Sequence, residues 1–183
     1  MESSAVVDFR IARTEVTYEQ WQDCERAGHC PPLPEREPGL PVSGITPERA
    51  QAYCQSVGGR LPTSSEWLLA AAGNPPRRFP WGQTGLVCRR AVFGLDRGPC
   101  ASGGTTPDAV GSRPDGATPE GVLDMAGNVA EWTVSDSAAE APGFVARGGS
   151  FRSQLAGELK VWAEQSPESA SQAIGVRCAF DVP

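Results

Sequence analysis

The sequence predicts an α+β domain with two to three helices, few short strands and much ordered coil. Three observations carry that expectation. Helix start and stop signals are confined to the first 73 of 183 positions. Short β-branched and aromatic runs come only from position 122 onward. Between them, residues 74–121 hold seven Pro and nine Gly and keep no sustained period. Hydrophobic content of 39% and charged content of 21% are ordinary for a globular chain, so 21 Gly and 17 Pro argue for irregular but ordered structure. The length suits one domain, 1–183, with an ample core.

The elements follow in order. Thr17 and Gln20 form a capping box opening a helix that carries Trp21 and Cys24 and ends near Gly28. A Pro-rich linker, 31–41, is too rigid and polar for core. The second helix has Thr46 as N-cap, Pro47 in its first turn, Ala50, Tyr53, Cys54 and Val57 on one face, and Gly58 as terminator. The third repeats this grammar, with Thr63 and Glu66 as capping box, Trp67, Leu68, Ala71 and Ala72 inside, and Gly73 as stop. A loop as long as 74–121 is uncommon in a compact domain unless functional or stapled, and a Cys88–Cys100 disulfide is a sensible staple. Strands are expected at 122–123, 132–134, 144–147 and 174–180.

A net charge of −6 gives no electrostatic footprint for nucleic acid. No apolar run approaches a membrane span, and the start MESSAVVDF lacks the regions of a signal peptide, so the reading is either cytosolic or a removed leader. Six cysteines with no CxxC and a single histidine argue for three disulfides rather than zinc, and so for a place outside the reducing cytosol. Sequence alone leaves 15 pairings open. Cys24–Cys30 and Cys88–Cys100 would close short loops in turn-rich segments. His29 sits in the tight CERAGHC segment and reads as a surface turn, which leaves no base for a Ser-His-Asp or Cys-His arrangement.

The stretch GVLDMAGNVAEWT, 121–133, reads as a strand entering a shaped turn. Its curl could aim the carboxylates of Asp124 and Glu131 and the carbonyls of Gly127 and Val129 at one point, an all-oxygen set suited to Ca2+. Alternatively the two acids cap the turn by accepting from amides around Gly127 and Asn128.

Four stretches in this order, ARTEVTYEQW, PVSGITPERAQAYCQSVGGRLPTSSEW with FPWG after it, GVLDMAGNVAEW, and ARGGSF followed by IGVRCAF, resemble the formylglycine-generating enzyme (sulfatase-modifying factor) family. The resemblance implies an elaborated C-type-lectin-like fold over residues ~11–180, and a chain that begins at the domain's second element, as a fragment or module of a longer protein. It implies Ca2+ at Asp124, Gly127, Val129 and Glu131. It also implies pairing of Cys54 with Cys178. The family's catalysts bind Cu(I) through two cysteines after the GGS motif, and here those positions are Ser153 and Glu158, neither a soft ligand. No copper is therefore expected. A related sulfoxide-forming branch uses histidines of an extra helical domain that this chain lacks.

Two functions follow from the resemblance. The first is a non-catalytic module that binds an unknown protein or small ligand, stabilised by calcium. The second is an enzyme with a remodelled pocket built from Ser153, Glu158 or Glu164. Relatives with this fold bind ligands through the surface equivalent to 151–173, so Phe151, Leu155 and Trp162, with Ser153, Glu158 and Glu164, are expected on the binding face.

Overall fold

The computed structural model describes residues 8–136, 143–167 and 170–182. Three helices form where the caps place them. In α1, Tyr18–Arg26, Thr17 Oγ1 accepts the Gln20 N–H and the Gln20 side chain accepts the Thr17 N–H. Thr46 Oγ1 accepts the Arg49 N–H at the start of α2, Pro47–Ser56. The Thr63–Glu66 box opens α3, Ser64–Ala72, and Gly73 ends it. Val57 departs from expectation: it is the C-cap of α2 and stands 47% exposed, outside the apolar face. The 31–41 linker also contributes more than expected, because Leu33 and Leu40 pack on the core and Pro31 O accepts the Trp21 indole N–H at 3.0 Å.

The strands are β1 (Phe9–Ile11), β2 (Ala130–Val134), β3 (Phe144–Arg147), β4 (Glu164–Gln165), β5 (Ile174–Gly175) and β6 (Ala179–Asp181). Strands β4-β3-β2-β5 form one sheet, with β2 antiparallel to β3 and parallel to β5. A separate ribbon pairs β1 with β6, joining the two ends of the chain. The closing run 174–180 is thus two strands, because residues 176–178 bond instead to the segment 12–16. Val122–Leu123 is not a strand; its backbone bonds to Arg13 O, twice to Thr118 and to the Arg177 side chain, with no ladder to extend. Sequence reading missed β1 and β4, which are too short to show a period of two.

Strand β2 divides the interior. Successive side chains face opposite ways. Trp132 joins Trp21, Ile45, Tyr53 and Leu61 in the cluster under α1 and α2, and its indole N–H donates to Ile45 O at 3.0 Å. On the other side Trp67 of α3 packs with Met125 and Val161. The coil 74–121 carries its own apolar anchors, Phe79, Val92, Phe93 and Leu95, each buried. Three disulfides close as expected, Cys24–Cys30, Cys54–Cys178 and Cys88–Cys100, leaving no free thiol. They are compatible with an oxidising compartment. No helix among the described residues is long and apolar enough to cross a membrane.

Candidate functional site

The loop between Leu123 and β2 curls because three of its residues take left-handed backbone. Asp124 (φ 58°) and Asn128 (φ 56°) are the residue types that tolerate this, and Gly127 (φ 88°) is required, since a Cβ there would meet Val92 O at 2.4 Å. The curl places Glu131 on the face of β2 opposite Trp132, where it is 1% exposed.

Glu131 does not face open space. Its Oε1 accepts from Arg177 Nη2 at 2.7 Å, and its Oε2 accepts from Arg177 Nε at 2.9 Å and from the Trp67 indole N–H at 2.6 Å. Arg177, fully buried, gives two of its three remaining donors to Ala12 O and Leu123 O at 2.8 and 2.7 Å. Burial alone would lower the Arg177 pKa, but Glu131 outweighs it and the net direction is upward. Asp124 Oδ2 accepts the Gly111 N–H at 2.6 Å, capping a turn of the long coil. The amides of Gly127 and Asn128 go to Gly148 O and Val92 O, so neither acid caps them as the alternative reading held.

A third acid completes the cluster. Glu15 is 1% exposed; Oε1 accepts from Asn128 Nδ2 at 3.1 Å, and Oε2 has no partner among the described residues. Burial first and the Asp124 charge second push its pKa well above the ordinary range, so the neutral acid is favoured.

This geometry tests the expected calcium set. Both Glu131 oxygens are already bonded to a guanidinium and an indole, and one Asp124 oxygen to an amide. A carboxylate offers about four acceptor sites, so these bonds leave one on Glu131 Oε1, and a cation there would share the carboxylate with Arg177. In this arrangement Arg177 supplies positive charge beside Glu131. Among the described residues no group of three His, Cys, Asp or Glu could hold a metal.

The 151–173 stretch divides into buried and exposed parts, and residues 168 and 169 lie outside the described residues. Phe151 is 2% exposed and packs with Val92 and Leu95, so it does not project as a surface anchor. Ser153 is buried, its Oγ accepting the Ser150 N–H at 3.1 Å. Glu158 Oε2 accepts the N–H groups of Gln154 and Leu155 at 2.8 and 2.7 Å. Glu164 pairs with Arg147 at 2.5 Å. Leu155 and Trp162, at 69% and 54% exposure, are the expected residues that reach solvent as apolar surface.

A family model described as sulfatase-modifying factor enzyme 1-like domain matches residues 1–182. The chain belongs to this family. Among curated relatives, the inactive C-alpha-formylglycine-generating enzyme 2 of Bos taurus is 34% identical over 153 residues, covering 76% of this chain and 50% of the relative. Hercynine oxygenase of Mycolicibacterium thermoresistibile is 38% identical over 114 residues, covering 60% of this chain and 23% of the relative. The chain thus spans a half or less of the length of these relatives. Among solved structures, CarF superposes with a TM-score of 0.72 at 21% identity, covering 96% of this chain and 87% of CarF. Treponema denticola variable protein 1 gives 0.72 at 22%, covering 94% and 84%. Both likenesses support the C-type-lectin-like fold of this family member and nothing finer.

Two members of the polar cluster escaped sequence reading. Arg177 left a signal, a lone arginine inside the apolar run IGVRCAF, which needs a buried carboxylate. Glu15 left none, because it alternates with buried Val16 as a solvent-facing residue would.

Proposed function

We propose that this family member is a non-catalytic binding module acting outside the reducing cytosol. The observation that carries the reading is the fate of the two positions where the family's catalysts place copper cysteines. Ser153 and Glu158 have hard oxygen side chains, and both are spent on backbone N–H groups of their own loop. With all six cysteines in disulfides, no thiolate is left for Cu(I) or for a covalent step. Glu164, the other candidate for a remodelled catalytic pocket, is held by Arg147. The likeness to a relative described as inactive supports the same conclusion.

In this reading the partner, a protein or small ligand, meets the surface near Leu155 and Trp162. The Arg177–Glu131 pair ties the scaffold together at its centre. Cu(I) titration of the disulfide-intact protein against a competing chelator, with oxygen consumption followed in the presence of a cysteine-containing peptide, tests it. Neither stoichiometric copper binding nor peptide-dependent oxygen uptake is expected; either one overturns the proposal.

A further inference from the structure

Three adjoining cavities share lining residues. The middle one, about 190 Å³, has Phe151, Leu40 and Pro107 as apolar wall and carries both Arg36 and Arg152. A cavity of about 350 Å³ shares Thr105, Phe151 and Arg152 with it, and an open one of about 950 Å³ shares Arg36, Leu40 and Thr106. Neither arginine is ion-paired among the described residues. Arg152 lies over the Phe151 ring, 5.3 Å from its centroid, so its guanidinium is backed by an aromatic face. The side chains of Ser43, Thr105, Thr106 and Gln172, which also line the middle cavity, make no hydrogen bond within the described residues. A chain of net charge −6 thus gathers two uncommitted cations and four uncommitted polar groups around one apolar wall.

The flanks narrow the choice of anion. Glu35 and Glu37 line one side cavity without an ion pair among the described residues, whereas Asp108 there is paired with Arg113 and Asp96 on the other side with Arg97, so a dianion in the middle is repelled chiefly from the Glu35–Glu37 side. We propose that the middle cavity binds a small monocarboxylate, its carboxylate between Arg36 and Arg152 and its apolar stem on Phe151 and Leu40. This rests on the binding-module reading and goes beyond it, adding a ligand class at a cavity lined by neither Leu155 nor Trp162.

The test uses the full chain, isotope-labelled for amide NMR, with hexanoate, hexanamide, hexylamine and inorganic phosphate as probes. Hexanoate is expected to give saturable shifts at the amides of Thr105, Arg152 and Gln172 in the millimolar range of a small fragment. Hexanamide should bind about tenfold more weakly or worse, the size expected on losing a charge-assisted hydrogen bond. Arg36→Gln and Arg152→Gln should each weaken hexanoate about as much, with the melting temperature little changed because neither side chain is ion-paired and Arg152 meets only the face of the Phe151 ring. Equal binding of hexanoate and hexanamide overturns the proposal. So do shifts that map away from the cavity, no saturable shift, or tighter binding of phosphate or hexylamine. The copper titration passes or fails independently, so failure of the ligand class and failure of the non-catalytic reading are told apart.

Discussion

Replacing Arg177 with Met tests whether a buried ion pair, not a cation, holds the centre of this fold. Met matches the length of the arginine stem but removes five donors. Glu131, 1% exposed, keeps only the Trp67 indole N–H at 2.6 Å, and Ala12 O and Leu123 O lose their partner. Leaving one charge of a buried pair unpaired costs about 3–5 kcal/mol. For a chain of this size about 2–4 °C of melting temperature is lost per kcal/mol, so the drop should be roughly 6–20 °C. The double variant Arg177→Met/Glu131→Gln should recover part of that loss, because the orphaned charge disappears with its partner. The assay is urea denaturation of the two single variants and the double, read by tryptophan fluorescence and analysed as a double-mutant cycle. A coupling energy of roughly 1–3 kcal/mol is expected. An Arg177→Met variant within about 1 kcal/mol of wild type, or single-variant losses that simply add, would refute the reasoning.

The same cluster predicts an unusual pH dependence. The folded-state pKa of Glu15 is raised, so its contribution is fully present below the unfolded carboxylate range near pH ~4 and is lost as pH rises through the folded value. Glu15→Gln should therefore gain on wild type with rising pH, at no more than about 1.4 kcal/mol per pH unit, in denaturation series at several pH values; parallel profiles would contradict it. Adding Ca2+ or chelator should leave the melting temperature within about a degree if Arg177 is the sole counter-charge, and a calcium-dependent rise of several degrees would show that the native state binds the cation as well. The Cys54–Cys178 bridge, at a sequence separation of 124, should contribute about 5 kcal/mol, against about 3 for Cys88–Cys100 at a separation of 12, when each is replaced by a pair of serines and compared by denaturation. Trp162→Ala should cost no more than about 0.5 kcal/mol of stability, since the ring is 54% exposed, and a larger loss would mean that it is core rather than binding surface.

Much of the fold was legible because the sequence states it locally. Thr17, Thr46 and Thr63 mark the three helix starts, and each hydroxyl accepts the amide three residues on. The ARGGS turn was legible as a motif, and its geometry shows why: a Cβ on Gly149 would meet Glu158 O at 2.7 Å. The site was less legible, for a physical reason. Carboxylates spaced like Asp124 and Glu131 are equally good partners for a divalent cation and for a guanidinium, and spacing along one loop cannot say which arrives. The guanidinium comes from 46 residues beyond Glu131, in the closing segment, where Arg177 is carried in beside β2.

That choice of counter-charge changes how the scaffold is held together. A metal loop can be emptied by a chelator, whereas an arginine is covalently part of the chain and is always charged. Arg177 is also adjacent to Cys178, whose disulfide to Cys54 fixes the same segment against α2. The ion pair and the bridge therefore restrain neighbouring residues and act on opposite sides of the segment, Glu131 and Trp67 on one and α2 on the other. Reducing Cys54–Cys178 should consequently loosen Arg177 as well. A double-mutant cycle between the serine pair and Arg177→Met should give losses smaller than their sum, because the first change already removes part of what the second needs.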